Sequence, residues 1–134
     1  MITVILKQAY QKTSYFIFDS PIVIRIGQHN AELESLLKQH TATSWAFITA
    51  YNPYSKELTD EENKKRHFEL VHVVSSYTYF EGEGVGEDEN WKPEKSLLIL
   101  EISKDDAMKI GKQFGQNAIV FGKEGGVAEL LLLK

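Results

Sequence analysis

"WAFITAYNPYS", residues 45–55, is the stretch that decides the fold, because it reads as a strand with two apolar faces that ends at a corner. Alternation puts one set of side chains on one face and a second set on the other: Trp45, Phe47, Thr49 and Tyr51, and then Ala46, Ile48 and Ala50. Such a strand belongs in the middle of a sheet covered on both sides. Asn52-Pro53 then ends it, since Asn favours turns and Pro donates no amide hydrogen bond.

The composition is that of one compact domain. The chain has 134 residues, 43% of them hydrophobic, which predicts a single globular domain over residues 1–134. Its 15 basic and 19 acidic residues give a formal charge of -4, so we expect no nucleic-acid partner and no attraction to anionic membranes. No stretch approaches the roughly 20 apolar residues of a membrane span, and a cytoplasmic location is expected. The absence of cysteine excludes disulfides, thiolate nucleophiles and Cys-ligated metals.

Local signals along the rest of the chain predict an α+β fold. Helices are expected after four capping residues: Thr3, Asn30, Thr59 with its partner Glu62, and Ser103. Turn residues 19–21 and 122–126 predict two hairpins. The expected order is α-β-β-α-β-α-β-β-α-β-β, a mixed sheet with about four helices packed on it. The helices that follow Ile26 and Ile102 are expected to be right-handed crossovers between parallel strands.

Several kinds of site are excluded by spacing. The stretch "EGEGVGEDEN", residues 81–90, has glycines but no following helix, and its carboxylates would repel phosphate, so a solvated, mobile loop is predicted there. Its spacing does not fit a calcium loop. The four histidines, at 29, 40, 67 and 72, contain no pair four residues apart, so no zinc site is expected. The chain has no nucleophile elbow or phosphate loop, and we expect no metal and no cofactor.

A candidate site remains at the Asn-Pro corner. The helix expected from Asp60 to about Val74 begins polar and ends apolar, and its buried stripe, extended backwards from Leu70, reaches Arg66 or His67 and then Asn63. These polar groups would lie near the C-terminal end of the central strand, which in sheets with parallel strands is the usual place for a ligand crevice. The alternative is that the helix simply extends into water with these side chains solvated.

Three segments together resemble a known family: "WAFITAYNPYS", "WKPEKSLLIL" and "FGQNAIVFGKEGGVAEL". In this order they are similar to a family of small bacterial proteins known only as a domain of unknown function, over about residues 10–132. The resemblance implies a single-domain bacterial protein and no activity. Nine residues match the family's pattern: Asn52, Pro53, Ser55, Asn63, Trp91, Pro93, Glu94, Gly115 and Gln116.

Three functional hypotheses follow, and the sequence leaves all three open. The first is a non-catalytic module that binds a small polar or anionic ligand or a peptide through a set of polar side chains: Tyr51, Asn52, Ser55, Asn63, Arg66, Glu94 and Gln116. The second is an enzyme with Glu94 or His67 as general base and Arg66 stabilising negative charge. The third is a protein partner or second copy pairing with an edge strand at Val127–Leu133, with the oligomeric state open.

Overall fold

The computed structural model describes residues 3–133, and in that part of the chain four helices and seven strands follow the predicted order. The elements are α1 (Val4–Gln11), β1 (Ser14–Ile17), β2 (Val23–Ile24), α2 (Ala31–Gln39), β3 (Ser44–Thr49), α3 (Asp60–Val73), β4 (Tyr79–Val85), β5 (Glu94–Leu100), α4 (Lys104–Gln113), β6 (Ala118–Lys123) and β7 (Glu129–Leu132). The predicted α+β class is confirmed. Ile2, which shares the helical spacing of α1, lies outside the described residues. Within residues 3–133 no helix combines the length and the apolar character needed to cross a bilayer.

All four predicted helix caps are confirmed. The side chains of Thr3, Asn30 and Ser103 each accept a hydrogen bond from an amide three residues later, at 2.9–3.1 Å. Thr59 and Glu62 form a reciprocal capping box, with both hydrogen bonds present. Each of these bonds satisfies an amide that the helix itself leaves without a partner, which explains why the starts of the helices are readable from sequence.

The strands form one sheet in the order β2-β1-β4-β5-β3-β6-β7, and every pair of neighbours is antiparallel. The expected parallel pairing across α2 and α4 is therefore wrong, although the two strands that each helix joins do run in the same direction. β3 lies between β5 and β6, so α4 carries the chain over β3 to a strand that does not touch β5. α2 likewise joins β2, at one edge of the sheet, to β3 in its interior.

The two faces of β3 are both buried, as predicted. Ala46, Ile48 and Ala50 belong to an outer core in which α3 and α4 cover the sheet. Trp45 and Phe47 belong to an inner core. That inner core also receives Leu33 and Leu37 of α2.

The sheet curls, because its two ends are joined. Ile26, just after β2, forms an isolated parallel bridge with Ala128, just before β7. The Gly27 amide donates to the Ala128 carbonyl at 2.7 Å, and the Ala128 amide donates to the Gln28 carbonyl at 3.1 Å. The inner core therefore lies inside the curl, while α3 and α4 pack outside it.

The predicted solvated loop at residues 81–90 is wrong for its first half. Residues 81–85 belong to β4, and residues 82–84 pair with both β1 and β5. Glycine is required there, since a Cβ on Gly82 would lie 2.2 Å from the Phe16 carbonyl oxygen. Gly82 therefore allows a close approach of two strands and does not belong to a loop.

Candidate functional site

The chain bends sharply after β3, through an unusual backbone. Asn52, Tyr54 and Ser55 have φ angles of 46°, 54° and 61°, all in the left-handed region that disfavours residues other than glycine. The Tyr54 amide donates to the Gly115 carbonyl at 2.8 Å. Three such residues within four positions persist only where the surroundings hold them, and such clusters occur preferentially at functional sites.

Two buried asparagines hold the corner together. The Asn52 amide donates to Asn63 Oδ1 at 2.9 Å, and Asn63 Nδ2 donates back to Asn52 Oδ1 at 2.8 Å. The Leu58 amide also donates to Asn52 Oδ1, at 2.9 Å. Asn63 is only 4% exposed, so the polar start of α3 does continue the buried face of the helix. The Asn63 side chain recognises the corner backbone directly.

Asn52 in turn orients Glu94, the first residue of β5. Asn52 Nδ2 donates to Glu94 Oε2 at 2.7 Å, and the Trp91 indole Nε1 donates to the same oxygen at 3.1 Å. Burial raises the pKa of the Glu94 carboxyl, and the hydrogen bonds from Asn52 and Trp91 act in the opposite direction. The second oxygen, Oε1, accepts no hydrogen bond from the described residues, and it is not sealed in the protein interior.

Glu94 lines a cavity of about 530 Å³ at one end of the curled sheet. The floor includes Phe47, Thr49 and Ser96, and α1 covers the cavity with Leu6 and Tyr10. No residue of α1 is fully buried, so this helix spans a hollow rather than a packed core.

The hollow exists because side-chain size falls along the inner face of the sheet. Towards the start of β3, Phe47 pairs with Leu98 across the strands. One step further along, Thr49 pairs with Ser96, and both line the cavity. Small residues in register on these two neighbouring strands leave a volume that the described side chains do not fill.

Two tyrosines line the same space, and neither was singled out from the sequence. The Tyr15 hydroxyl donates to the Tyr10 carbonyl at 3.3 Å. Burial raises the pKa of both phenols. The nearby Glu94 charge also raises both, whereas hydrogen bonding with Ser55 and Asn117 lowers the pKa of Tyr10.

Arg66 lies behind the corner and not in the cavity. Its Nε donates to the Ala50 carbonyl at 2.7 Å, a second guanidinium nitrogen donates to the Phe114 carbonyl, and the guanidinium lies 5.9 Å from the centre of the Phe114 ring. Arg66 therefore ties the end of β3 to the end of α4. His67 faces elsewhere, with Nε2 2.8 Å from Glu81 Oε1 and Nδ1 buried without a described partner.

The charges around the cavity are mostly negative. Glu87 and Asp88 line it together with Glu94, and Lys12 is the cation among its described lining residues. Within residues 3–133, no group of three or more His, Asp or Glu side chains is placed to hold a metal ion.

A family model matches residues 48–119, from near the end of β3 to the start of β6. The chain belongs to this family, described as "Protein of unknown function (DUF3293)". The resemblance read from the sequence is therefore confirmed at the level of the family. No curated protein and no solved structure matches the chain significantly. The family segment contains Asn52, Asn63, Glu94 and Gln116, but its description assigns them no role.

The seven residues predicted for the site divide into two layers. Asn52, Ser55, Glu94 and Gln116 line the cavity. Tyr51, Asn63 and Arg66 lie behind it, where they hold the corner: the Tyr51 carbonyl accepts from Gln116 Nε2 at 3.1 Å, and the other two bind the backbone directly. The tyrosines at 10 and 15 precede the family segment. A hydroxyl on the apolar face of a short helix was the one sequence signal for Tyr10.

Proposed function

We propose that the cavity beneath α1 binds a small polar ligand and that the protein is a non-catalytic binding module. The observation that carries the proposal is the Glu94 carboxylate, which two donors fix at one oxygen while the other oxygen has no described partner. A half-buried carboxylate loses hydration, and that cost is recovered when a ligand donates to it.

The shape of the site supports the same proposal. A volume of about 530 Å³ lies within the range of small-molecule pockets, and the open ends of curled or closed sheets are common places for them. Apolar walls with a few fixed polar groups are the usual composition of such pockets. The left-handed backbone at Asn52 adds support, because it aims the Asn52 side chain at Glu94.

An enzyme is the second candidate, and the raised pKa of Glu94 favours it. A carboxyl with a raised pKa is suited to general acid or base catalysis. The partners expected from the sequence give it less support, since Arg66 is bound to two carbonyls and His67 contacts Glu81. The edge-strand hypothesis also has less support, because residues 26–28 cover the chain just before β7.

A metabolite panel read by thermal shift tests the binding function. At least one compound is expected to raise the melting temperature, since a ligand that binds only the folded state stabilises it. The shift should be lost in Glu94→Gln and kept in Glu124→Gln, the same chemical change at an exposed position. Equal shifts in both variants would contradict the proposed site. Incubating the compound with the protein then separates the candidates: an unchanged compound favours the binding module, and turnover favours the enzyme.

A further inference from the structure

Two hydrogen-bond acceptors that line the cavity have no described partner. Glu94 Oε1 has no described partner, and the Gln116 side chain offers a second oxygen. The orientation of Gln116 is fixed, because its Nε2 donates to the carbonyls of Tyr51 and Phe114 at 3.1 and 3.3 Å. Carbonyls only accept, so the amide nitrogen must face them and the amide oxygen must face away.

Most of the donors that line the cavity are already engaged. The Trp91 indole donates to Glu94 Oε2, and the Thr49 and Ser96 hydroxyls donate to backbone carbonyls at 2.7 and 2.9 Å. The Tyr15 hydroxyl donates to the Tyr10 carbonyl. A ligand that takes a hydrogen bond from one of these groups would have to break an existing bond, whereas a ligand that donates to Glu94 and Gln116 would not.

Charge and wall chemistry narrow the class further. Among the described residues that line the cavity, three carboxylates, at Glu87, Asp88 and Glu94, outnumber one ammonium, that of Lys12, so the local field attracts cations and repels anions. Aromatic rings of Phe47, Tyr15 and Trp91 also line the space, and such rings attract cations as well as apolar groups.

We infer that the ligand is a small organic cation, with a primary ammonium or guanidinium that donates to Glu94 and Gln116 and an apolar body that lies against the aromatic wall. This inference rests on the proposed binding function and narrows it. The sequence had suggested an anionic ligand as one possibility, with Arg66 among the residues that would bind it. In the structure the Arg66 guanidinium donates to two backbone carbonyls and does not line the cavity, so it does not supply a positive charge there.

The test uses probes that share a body and differ in the head group. The full chain, labelled with ¹⁵N, is titrated with 2-phenylethylammonium, 3-phenylpropionate and 2-phenylethanol, and with tryptamine, indole-3-propionate and tryptophol. The chain has two tryptophans, so the two indole N–H signals act as reporters. Trp91 lies in the cavity, and Trp45, 3% exposed in the inner core, is the internal control. Trp91→Phe assigns the two signals.

The expected result is that the ammonium probes shift the Trp91 signal and bind at least tenfold more tightly than the matched carboxylates and alcohols. Glu94→Gln should weaken ammonium binding by roughly tenfold to a hundredfold, since a hydrogen bond to a charged group is lost. Gln keeps an acceptor for Asn52 and Trp91, so the variant is expected to fold, which an unchanged Trp45 signal would verify. The exposed Glu87→Gln variant should weaken binding less, in a salt-dependent way, while Glu124→Gln should have no effect.

The failures are distinguishable. If the carboxylates or alcohols shift Trp91 and bind as tightly as the ammonium probes, the cation class is wrong and the binding site stands. If ammonium binding survives Glu94→Gln and Glu87→Gln unchanged, the assigned recognition is also wrong. If no probe moves the Trp91 signal, both the inference and the proposed binding site are refuted.

Discussion

Removing the Asn63 side chain is the most direct test of how the corner is held. Asn63→Ala leaves the Asn52 amide without an acceptor in a position where Asn52 is only 9% exposed. It also removes the donor to Asn52 Oδ1, which keeps its bond from the Leu58 amide. The loss of the acceptor for the Asn52 amide is the larger effect, because the desolvation of a buried donor is then not compensated by a hydrogen bond.

The magnitude follows from these contacts. The unsatisfied amide costs about 1–3 kcal/mol and the second bond about 0.5–1.5 kcal/mol. Alanine is a better helix former than asparagine, which offsets up to about 0.7 kcal/mol of this loss of stability. We expect a net loss of about 2.5 kcal/mol in the free energy of unfolding, measured by urea denaturation followed by tryptophan fluorescence. Lys64→Ala, at the next position of α3 and exposed, is the control and should change stability by less than about 0.5 kcal/mol.

A second variant tests the geometry rather than the size of the side chain. Asn63→Asp keeps an oxygen that can accept from the Asn52 amide. Its second oxygen replaces Asn63 Nδ2, which in the wild type donates to Asn52 Oδ1 at 2.8 Å, so two acceptors would face each other. Burial and the facing acceptor raise the pKa of the introduced carboxyl in the folded state, so stability is retained at low pH and lost as pH rises through that pKa. If Asn63→Ala costs no more than Lys64→Ala, or if Asn63→Asp shows no such pH dependence relative to the wild type, the paired asparagines do not hold the corner.

Three further predictions concern single positions. Gly115 and Gly125 both have a left-handed φ, at 69° and 81°, so replacing either by Ala should lower the free energy of unfolding by about 1–2 kcal/mol. Only Gly115→Ala would also place a Cβ 2.9 Å from Pro53, so urea denaturation should show the larger loss of stability for that variant. Equal losses in the two variants would contradict the packing of Gly115 against the Asn-Pro corner. Gly82→Ala should abolish the hydrogen-exchange protection of amides between β1 and β4, because its Cβ would lie 2.2 Å from the Phe16 carbonyl oxygen. Gly84→Ala should leave this protection intact, because the nearest atom to its Cβ is 3.5 Å away. Similar protection in both variants would refute the register between β1 and β4. Because the folded pKa of Glu94 is raised, the wild type should lose stability relative to Glu94→Gln as pH rises from the unfolded carboxyl pKa through the folded one, and parallel stability profiles would contradict this.

The order of the elements was readable from sequence because its signals are local. A capping side chain such as Thr59 acts within three residues of itself, and the alternation of β3 is contained in one short segment. Strand order was not readable, because β3 is apolar on both faces and its composition does not say which strands lie beside it. The expectation of parallel neighbours failed at that step.

The candidate site was partly predictable for the same reason. Asn63 could be placed at the corner by stepping back along one helix from Leu70. The bond from Asn52 to Glu94 joins residues 42 positions apart and depends on the register between β3 and β5, which no local pattern encodes. Tyr10 was missed because its helical spacing with Ile5 and Leu6 reads as ordinary packing, although α1 covers a hollow.

The end of β3 is a candidate site for a different reason from the one predicted from the sequence. In an antiparallel sheet, the end of a strand lies beside the starts of both neighbouring strands. Asn52, just after β3, therefore lies close to Glu94 at the start of β5 and to Gln116 just before β6. The opposite end of the same inner face is closed, since α2 fills it with Leu33 and Leu37, both buried. The polar network therefore lies at the end of the inner face where α1, with no residue fully buried, leaves a volume that the described residues do not fill, and this is the volume in which we propose that a ligand binds.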